Sequence, residues 1–135
     1  MEKIKALADF LQVEENEAEE LIEAVDYLVL TDAEADEAAA EEIKSSLWAF
    51  NADFVLQHNR KMRAAPYDEW YAALDALRKA QERTCESANG LVYALIDDLE
   101  KFIVDAINAD GRGHFISFYD GKENEAGGFF IYRIN

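Results

Sequence analysis

Apolar residues recur along this chain at intervals of three and four over most of its length, a spacing that predicts helices. Ile4, Leu7, Ala8 and Leu11 mark a short first helix. Ala18, Leu21, Ile22, Val25, Leu28 and Val29 mark a second, with Glu19, Glu20 and Glu23 on its wet face. Thr31-Asp32-Ala33-Glu34 has the form of a capping box, in which Thr31 bonds a free backbone N–H while Glu34 reaches back. The third helix begins there, acidic where the helix dipole is positive, with Ala39, Ile43, Leu47 and Phe50 on its apolar face and Trp48 close by. Asn51 is placed to cap the short apolar turn of Phe54, Val55 and Leu56. Pro66 opens a further helix, because its missing N–H is not needed in a first turn, and Trp70, Ala73, Leu74 and Leu77 share one side of it. Asn89-Gly90 reads as a break. Leu91, Ala94, Leu95, Leu99, Phe102, Ile103 and Ala106 then hold helical spacing, with Asp97, Asp98, Glu100 and Lys101 outside.

The period changes after Asn108. Asp110-Gly111-Arg112-Gly113 reads as a C-cap and turn. Two aromatic and β-branched runs, His114–Tyr119 and Phe129–Ile134, predict strands on either side of a polar loop that holds Gly121, Gly127 and Gly128. The expected fold is mainly α with a small β appendage (α+β). It has about five or six helices packed as one bundle-like domain over 1–135, helical across 1–109 and ending in a two-stranded β-hairpin tail across 110–135. A lone hairpin is barely stable in water, so the tail must lie against helices or pair with something else.

With 135 residues, half of them apolar, the chain can bury a core without metal or disulfide staples. Its charge narrows the functional classes. Asp and Glu number 29 against 13 Lys and Arg, a net −16, which repels phosphate backbones and anionic membrane surfaces alike. Residues 1–50 hold 15 acidic and 3 basic side chains, net −12, and residues 51–135 hold 14 and 10, net −4. The one cysteine, Cys85, excludes an internal disulfide framework and fits a reducing cytosol. No apolar run reaches the roughly 18 residues of a membrane span. The start, Met1-Glu2-Lys3-Ile4-Lys5, has no signal-peptide core, so a cytoplasmic location is expected.

Candidate chemistry is sparse. The phosphate-cradling and nucleophile-elbow motifs are missing. Glu82 and Glu86 surround Cys85 with negative charge, so it reads as a plain thiol. Asp120, Glu123 and Glu125 lack the ligand spacing of a calcium loop, and His58, His114 and a single cysteine match no zinc pattern. No cofactor and no metal are expected. The one basic stretch, His58, Arg60, Lys61 and Arg63, is better suited to acidic helices of this or another copy than to nucleic acid. The tail gathers Arg112, His114, Tyr119, Asp120, Glu123, Glu125, Tyr132 and Arg133, in principle a small polar site with His114 as acid or base. Strand alternation sets His114, Ile116 and Phe118 on one face and Phe115 and Tyr119 on the other, which argues against catalysis there. The plainer reading has the glycines serving turns, the aromatics packing on helices and Arg133 pairing with a loop carboxylate.

The tail also carries a resemblance. Residues Gly111-Arg112-Gly113-His114-Phe115-Ile116-Ser117-Phe118-Tyr119-Asp120-Gly121-Lys122-Glu123-Asn124-Glu125, followed by Phe129-Phe130-Ile131-Tyr132-Arg133-Ile134-Asn135, resemble the end of a family of small bacteriophage and prophage proteins. That family ends in G-R-G-H-x-x-S-x-Y-D-G-x-E-x-E, a spacer, and Y/F-I-Y-R-x-N. Tyr27 to Glu37 is similar to its LVLTDEEAD segment, with Ala33 where Glu is usual. The resemblance implies a phage setting and the cytosol of a host cell; it transfers no activity and no catalytic residue.

The function expected on these grounds is non-enzymatic protein interaction. An acidic surface formed by Glu19, Glu20, Glu23, Asp32, Glu34, Asp36, Glu37, Glu41 and Glu42 suits a basic groove, because clustered carboxylates imitate the charge spacing of DNA phosphates. The partner expected is a host or phage protein with a basic surface, such as a nucleic-acid-binding or defence protein that would be inhibited, with no direct nucleic acid and no membrane. The alternative is a small ligand-binding or catalytic protein using the hairpin around His114 and Tyr119. A homo-oligomer joined by hairpin edges or by Trp48, Trp70, Phe129 and Phe130 is compatible with either.

Overall fold

A computed structural model describes residues 2–135; Met1, the first residue of the N-terminal segment read above, lies outside them. In chain order the elements are α1 (Glu2–Leu11), α2 (Glu15–Glu23), β1 (Tyr27–Leu30), α3 (Asp32–Ser45), α4 (Ala52–Gln57), α5 (Arg60–Arg63), α6 (Tyr67–Thr84), α7 (Asn89–Leu95), α8 (Leu99–Asp110), α9 (Arg112–Ile116), β2 (Asn124–Ala126) and β3 (Phe129–Arg133). Single turns of 3₁₀ helix lie at Leu47–Ala49 and Cys85–Ala88. The protein is mainly α and its C-terminus is a β-hairpin, as the periodicity predicts. The chain forms two compact units: a sheet-bearing unit, Met1–Glu42 with Ile107–Asn135, and a helical unit, Ile43–Ala106.

In the sheet-bearing unit, β3 is the central strand of a three-stranded antiparallel sheet ordered β1-β3-β2. Tyr27 pairs with Arg133, Val29 with Ile131, and Ala126 with Phe129. Helical spacing predicts Leu28 and Val29 in the second helix, but Tyr27–Leu30 is a strand. The helix stops earlier: the amide of Asp26 bonds the Leu21 carbonyl at 2.9 Å and that of Val25 the Ile22 carbonyl at 3.0 Å, a Schellman closure. Val25 occupies the left-handed position there at φ +58. Glycine is usual at that site; a β-branched residue costs on the order of 1–2 kcal/mol. The run Tyr-Leu-Val-Leu is then free to pair, and burial of a non-local strand outweighs its helical spacing. Strand alternation puts Val29 and Ile131 on one face, packed with Leu7, Ala8 and Ala18. Phe130 and Tyr132 project from the other.

His114–Tyr119 is likewise not a strand. Residues 112–116 form α9, and the hairpin is built from β2 and β3 across Gly127-Gly128, both at positive φ, +58 and +81. Two tight contacts fix this arrangement. A Cβ on Gly113 would stand 2.6 Å from the Lys122 carbonyl carbon, so the helix start and the loop backbone touch. The buried Ser117 hydroxyl donates to the Lys122 carbonyl at 2.6 Å. The capping box forms as predicted: the Glu34 amide donates to Thr31 Oγ1 at 3.2 Å and the Thr31 amide to Glu34 Oε1 at 2.9 Å.

The helical unit buries Leu47, Val55, Leu56, Leu74, Leu77, Val92 and Phe102. Asn51 caps α4, accepting from the Asp53 amide at 2.8 Å, and Pro66 precedes the first residue of α6, both as expected. The helix predicted across Leu91 to Ala106 is broken in two. Asp98 caps the second piece by accepting from the Lys101 amide at 3.1 Å, and between the pieces the Asp97 amide donates to the His58 carbonyl at 3.1 Å. Val92 is buried in place of Leu91, which is exposed. No helix among the described residues is long and apolar enough to cross a membrane.

Candidate functional site

The tail residues singled out from sequence converge around one side chain. Gly111, at φ +86, lets the chain turn from α8 into α9 and places Arg112 at the start of that helix. The Arg112 side chain is only 11% exposed. Its Nη1 donates to Asp32 Oδ1 at 2.8 Å, to Asp36 Oδ1 at 3.0 Å and to the Asp32 carbonyl at 3.1 Å, and its Nε donates to Glu123 Oε1 at 2.8 Å. The guanidinium carbon lies 4.6 Å from the centre of the Phe130 ring. Tyr132, fully buried, donates its hydroxyl to the same Glu123 oxygen. Burial opposes the charge on Arg112, but the hydrogen bonds to Glu123, Asp32 and Asp36 outweigh it and hold the guanidinium above its ordinary pKa. Burial, then the bond to Glu123, pushes the Tyr132 phenol up. Arg112 therefore stays cationic and Tyr132 stays a neutral donor.

From sequence, Asp32 and Asp36 belong to an acidic docking surface and Arg112 to a separate tail motif; the fold joins them. Glu34 is also engaged, accepting from Lys3 Nζ at 2.8 Å. That bond and the Thr31 amide hold its carboxyl at about 2. Exposed positions with no such partner remain on the same unit: Glu19, Glu20 and Glu23 on α2, and Glu37 on α3. Glu41 and Glu42 have interactions of their own.

The other tail residues divide in two. Arg133 covers the Tyr119 ring at 3.8 Å and reaches the Tyr27 ring at 5.9 Å, while the Tyr119 amide donates to the Arg133 carbonyl at 3.2 Å. Arg133 Nε donates to the Asn135 carbonyl at 2.8 Å, so it bonds backbone and rings in place of the loop carboxylate expected for it. Asp120 accepts from the Lys122 amide at 3.0 Å and shapes the turn. His114 is exposed, edge-on to Phe115, and Glu125 is exposed on β2 opposite Phe130. No contact among the described residues joins His114 to Tyr119.

A second polar centre lies in the helical unit and was not legible in the sequence. His58 Nδ1 donates to the Phe54 carbonyl at 2.8 Å, and Nε2 faces Asp105 Oδ2 at 2.8 Å. Lys101 Nζ donates to the same Asp105 oxygen at 2.8 Å, and these bonds, from Lys101 and then His58, hold the Asp105 carboxyl below the usual range. The imidazole stands within 4.9 Å of the Phe54 and Phe102 rings. No sequence pattern links positions 47 residues apart. No group of three or more His, Cys, Asp or Glu among the described residues is placed to hold a metal ion. No buried side-chain nitrogen or oxygen among them lacks a hydrogen-bond partner. Both centres are internally satisfied, and chemically each does the work of a clasp.

No protein-family model, curated protein or solved structure matches the chain.

Proposed function

We propose that this protein acts by non-enzymatic association, its sheet-bearing unit presenting carboxylates to a basic surface on another protein. The observation that carries this reading is the division of charge. The sheet-bearing unit holds 19 acidic and 5 basic residues, net −14, whereas the helical unit holds 10 and 8, net −2. Asp32, Glu34 and Asp36 are taken up by Arg112 and Lys3, so the carboxylates left open to a partner include Glu19, Glu20, Glu23 and Glu37. A surface of this kind complements a groove that otherwise holds nucleic-acid phosphates, and occupying such a groove would inhibit its owner. The resemblance of the tail to bacteriophage and prophage proteins points to a bacterial host as the source of that partner. The reading around His114 and Tyr119 has less support, since Arg133 covers the Tyr119 ring.

The test is capture of partners from bacterial lysate by the full chain at low and at high salt. A basic protein retained at low salt, released at high salt, and lost when Glu19, Glu20, Glu23 and Glu37 are changed together to Gln is the expected result. Finding no salt-sensitive partner would sink the reading.

A further inference from the structure

The helical unit carries a surface that its clasp does not explain. α5 is four residues long and three of them are cations, Arg60, Lys61 and Arg63, all exposed. None of the three side chains is in an ion pair among the described residues. Beside α5 runs a shallow, open groove of about 520 Å³ lined by Met62, Arg63, Ala65, Tyr67, Trp70 and Tyr71. Tyr67 is 74% exposed and Tyr71 51%, with ring centres 4.6 Å apart, one turn of α6 separating them. Asp68 and Glu69 open α6 alongside, but the lining itself carries a single charge, that of Arg63.

A complementary surface exists on the same chain, at the C-terminal end of α2. Glu19, Glu20 and Glu23 are spaced three and four apart and so are neighbours on the helix surface. Just past them Val25 stands 51% exposed, in the left-handed conformation that disfavours a β-branched side chain. Its own unit does not bury it, so packing there does not offset the strain. An apolar tip beside three carboxylates matches an aromatic groove beside three cations.

We infer that the groove between α5 and α6 is filled by the α2 terminus of a second copy of this chain. Val25 of one copy sits among Tyr67, Trp70 and Tyr71 of the next, with Glu19, Glu20 and Glu23 facing Arg60, Lys61 and Arg63. Each copy is net negative, but at physiological ionic strength charges more than about 8 Å apart are screened, so the local match decides. Groove and tip are different patches, which makes the contact heterologous; unless the rotation closes, association continues past the dimer. This inference does not depend on a basic partner, although such a partner would compete for the same glutamates.

Sedimentation velocity of the full chain over a range of concentrations, at low and high salt, tests it. The average mass should rise with concentration at low salt and fall back toward the monomer at high salt. Changing Arg60, Lys61 and Arg63 together to Glu should weaken association about tenfold or more, three exposed ion pairs at their ordinary scale. Changing Glu19, Glu20 and Glu23 together to Lys should do the same, and mixing the two charge-reversed proteins should restore association. Val25→Gly should raise the melting temperature by relieving the left-handed strain and yet weaken association. A monomer under every condition would overturn the inference. So would association that survives reversal of the groove cations or is unchanged by Val25→Gly. A monomer that binds a labelled oligothymidylate through Tyr67 and Tyr71 would overturn it in favour of single-stranded nucleic acid.

Discussion

The two units solve the same electrostatic problem with different leftovers. In the sheet-bearing unit cations are scarce and three of the five are committed: Lys3 to Glu34, Arg112 to Asp32, Asp36 and Glu123, Arg133 to the Tyr119 ring. Carboxylates are most of what remains at the surface. In the helical unit five of the six aspartates are committed. Asp53 bonds Gln57, Asp75 bonds Lys79, Asp97 the Arg60 amide, Asp98 the Lys101 amide, and Asp105 both Lys101 and His58. What is left over is mixed: Asp68, Glu69, Glu82, Glu86 and Glu100, with Arg78, Arg83 and the cations clustered on α5. Net charge alone would describe this molecule as uniformly acidic, whereas pairing shows which charges are available to another molecule.

The two clasps also differ in kind. Arg112 holds together three carboxylates that would otherwise repel, whereas His58 fills an aromatic cage and adds to an Asp105 that already has Lys101. Removing each should therefore fail differently. Arg112→Ala is the larger effect, about 2–4 kcal/mol in urea unfolding. That range lies at or below the value for a fully buried pair, because Asp32 and Asp36 are mostly exposed and screened. Adding salt or a second change, Asp36→Asn, should recover part of the loss by relieving like-charge repulsion. His58→Ala should cost about 2 kcal/mol, chiefly lost packing against Phe54 and Phe102, with little recovery in salt. Equal salt rescue of both variants would show that the two clasps do not differ in kind.

The smallest effect expected is a shift with pH. The Glu34 carboxyl falls from its ordinary 4.5 to about 2 in the folded protein. A group depressed on folding contributes stability that is complete above the unfolded value and drains away as pH falls toward the folded one. Wild type should thus lose stability between about 4.5 and 2 more steeply than Glu34→Gln, read as melting temperature against pH. Tyr132 works in the other direction. Its phenol is raised from 10.0, so its contribution is complete below about 10 and is lost as pH climbs beyond it. Parallel acid profiles for wild type and Glu34→Gln would remove Glu34 from the account.

Features that depend on a few neighbouring residues were legible in advance. The Thr31–Glu34 box, the Asn51 cap, Pro66 at the head of α6 and the hairpin at the C-terminus each follow from short-range chemistry, and each is present in the fold. Three expectations failed where periodicity was asked to decide between elements. Leu28 and Val29 kept helical spacing but became part of a strand once β3 supplied partners. The Leu91 to Ala106 face was continuous in sequence but broke where Asp98 formed a new cap. His114–Tyr119 had the composition of a strand but folded into α9 and a turn, because Gly113 and Ser117 tie that segment to the backbone of Lys122.

The same boundary runs through the candidate sites. Sequence alone identified the tail residues and the surplus of carboxylates, because residue type and charge are counted without knowing the fold. It could not show that Arg112 neutralises Asp32 and Asp36, some 80 and 76 positions away, or that His58 meets Asp105. Nor could it show that Arg60, Lys61 and Arg63 go unpaired beside exposed tyrosines. Local propensity, capping and total charge belong to the chain. Which charges cancel and which stay exposed depends on distances of about 3 Å between residues far apart in sequence, and only the packed structure sets those.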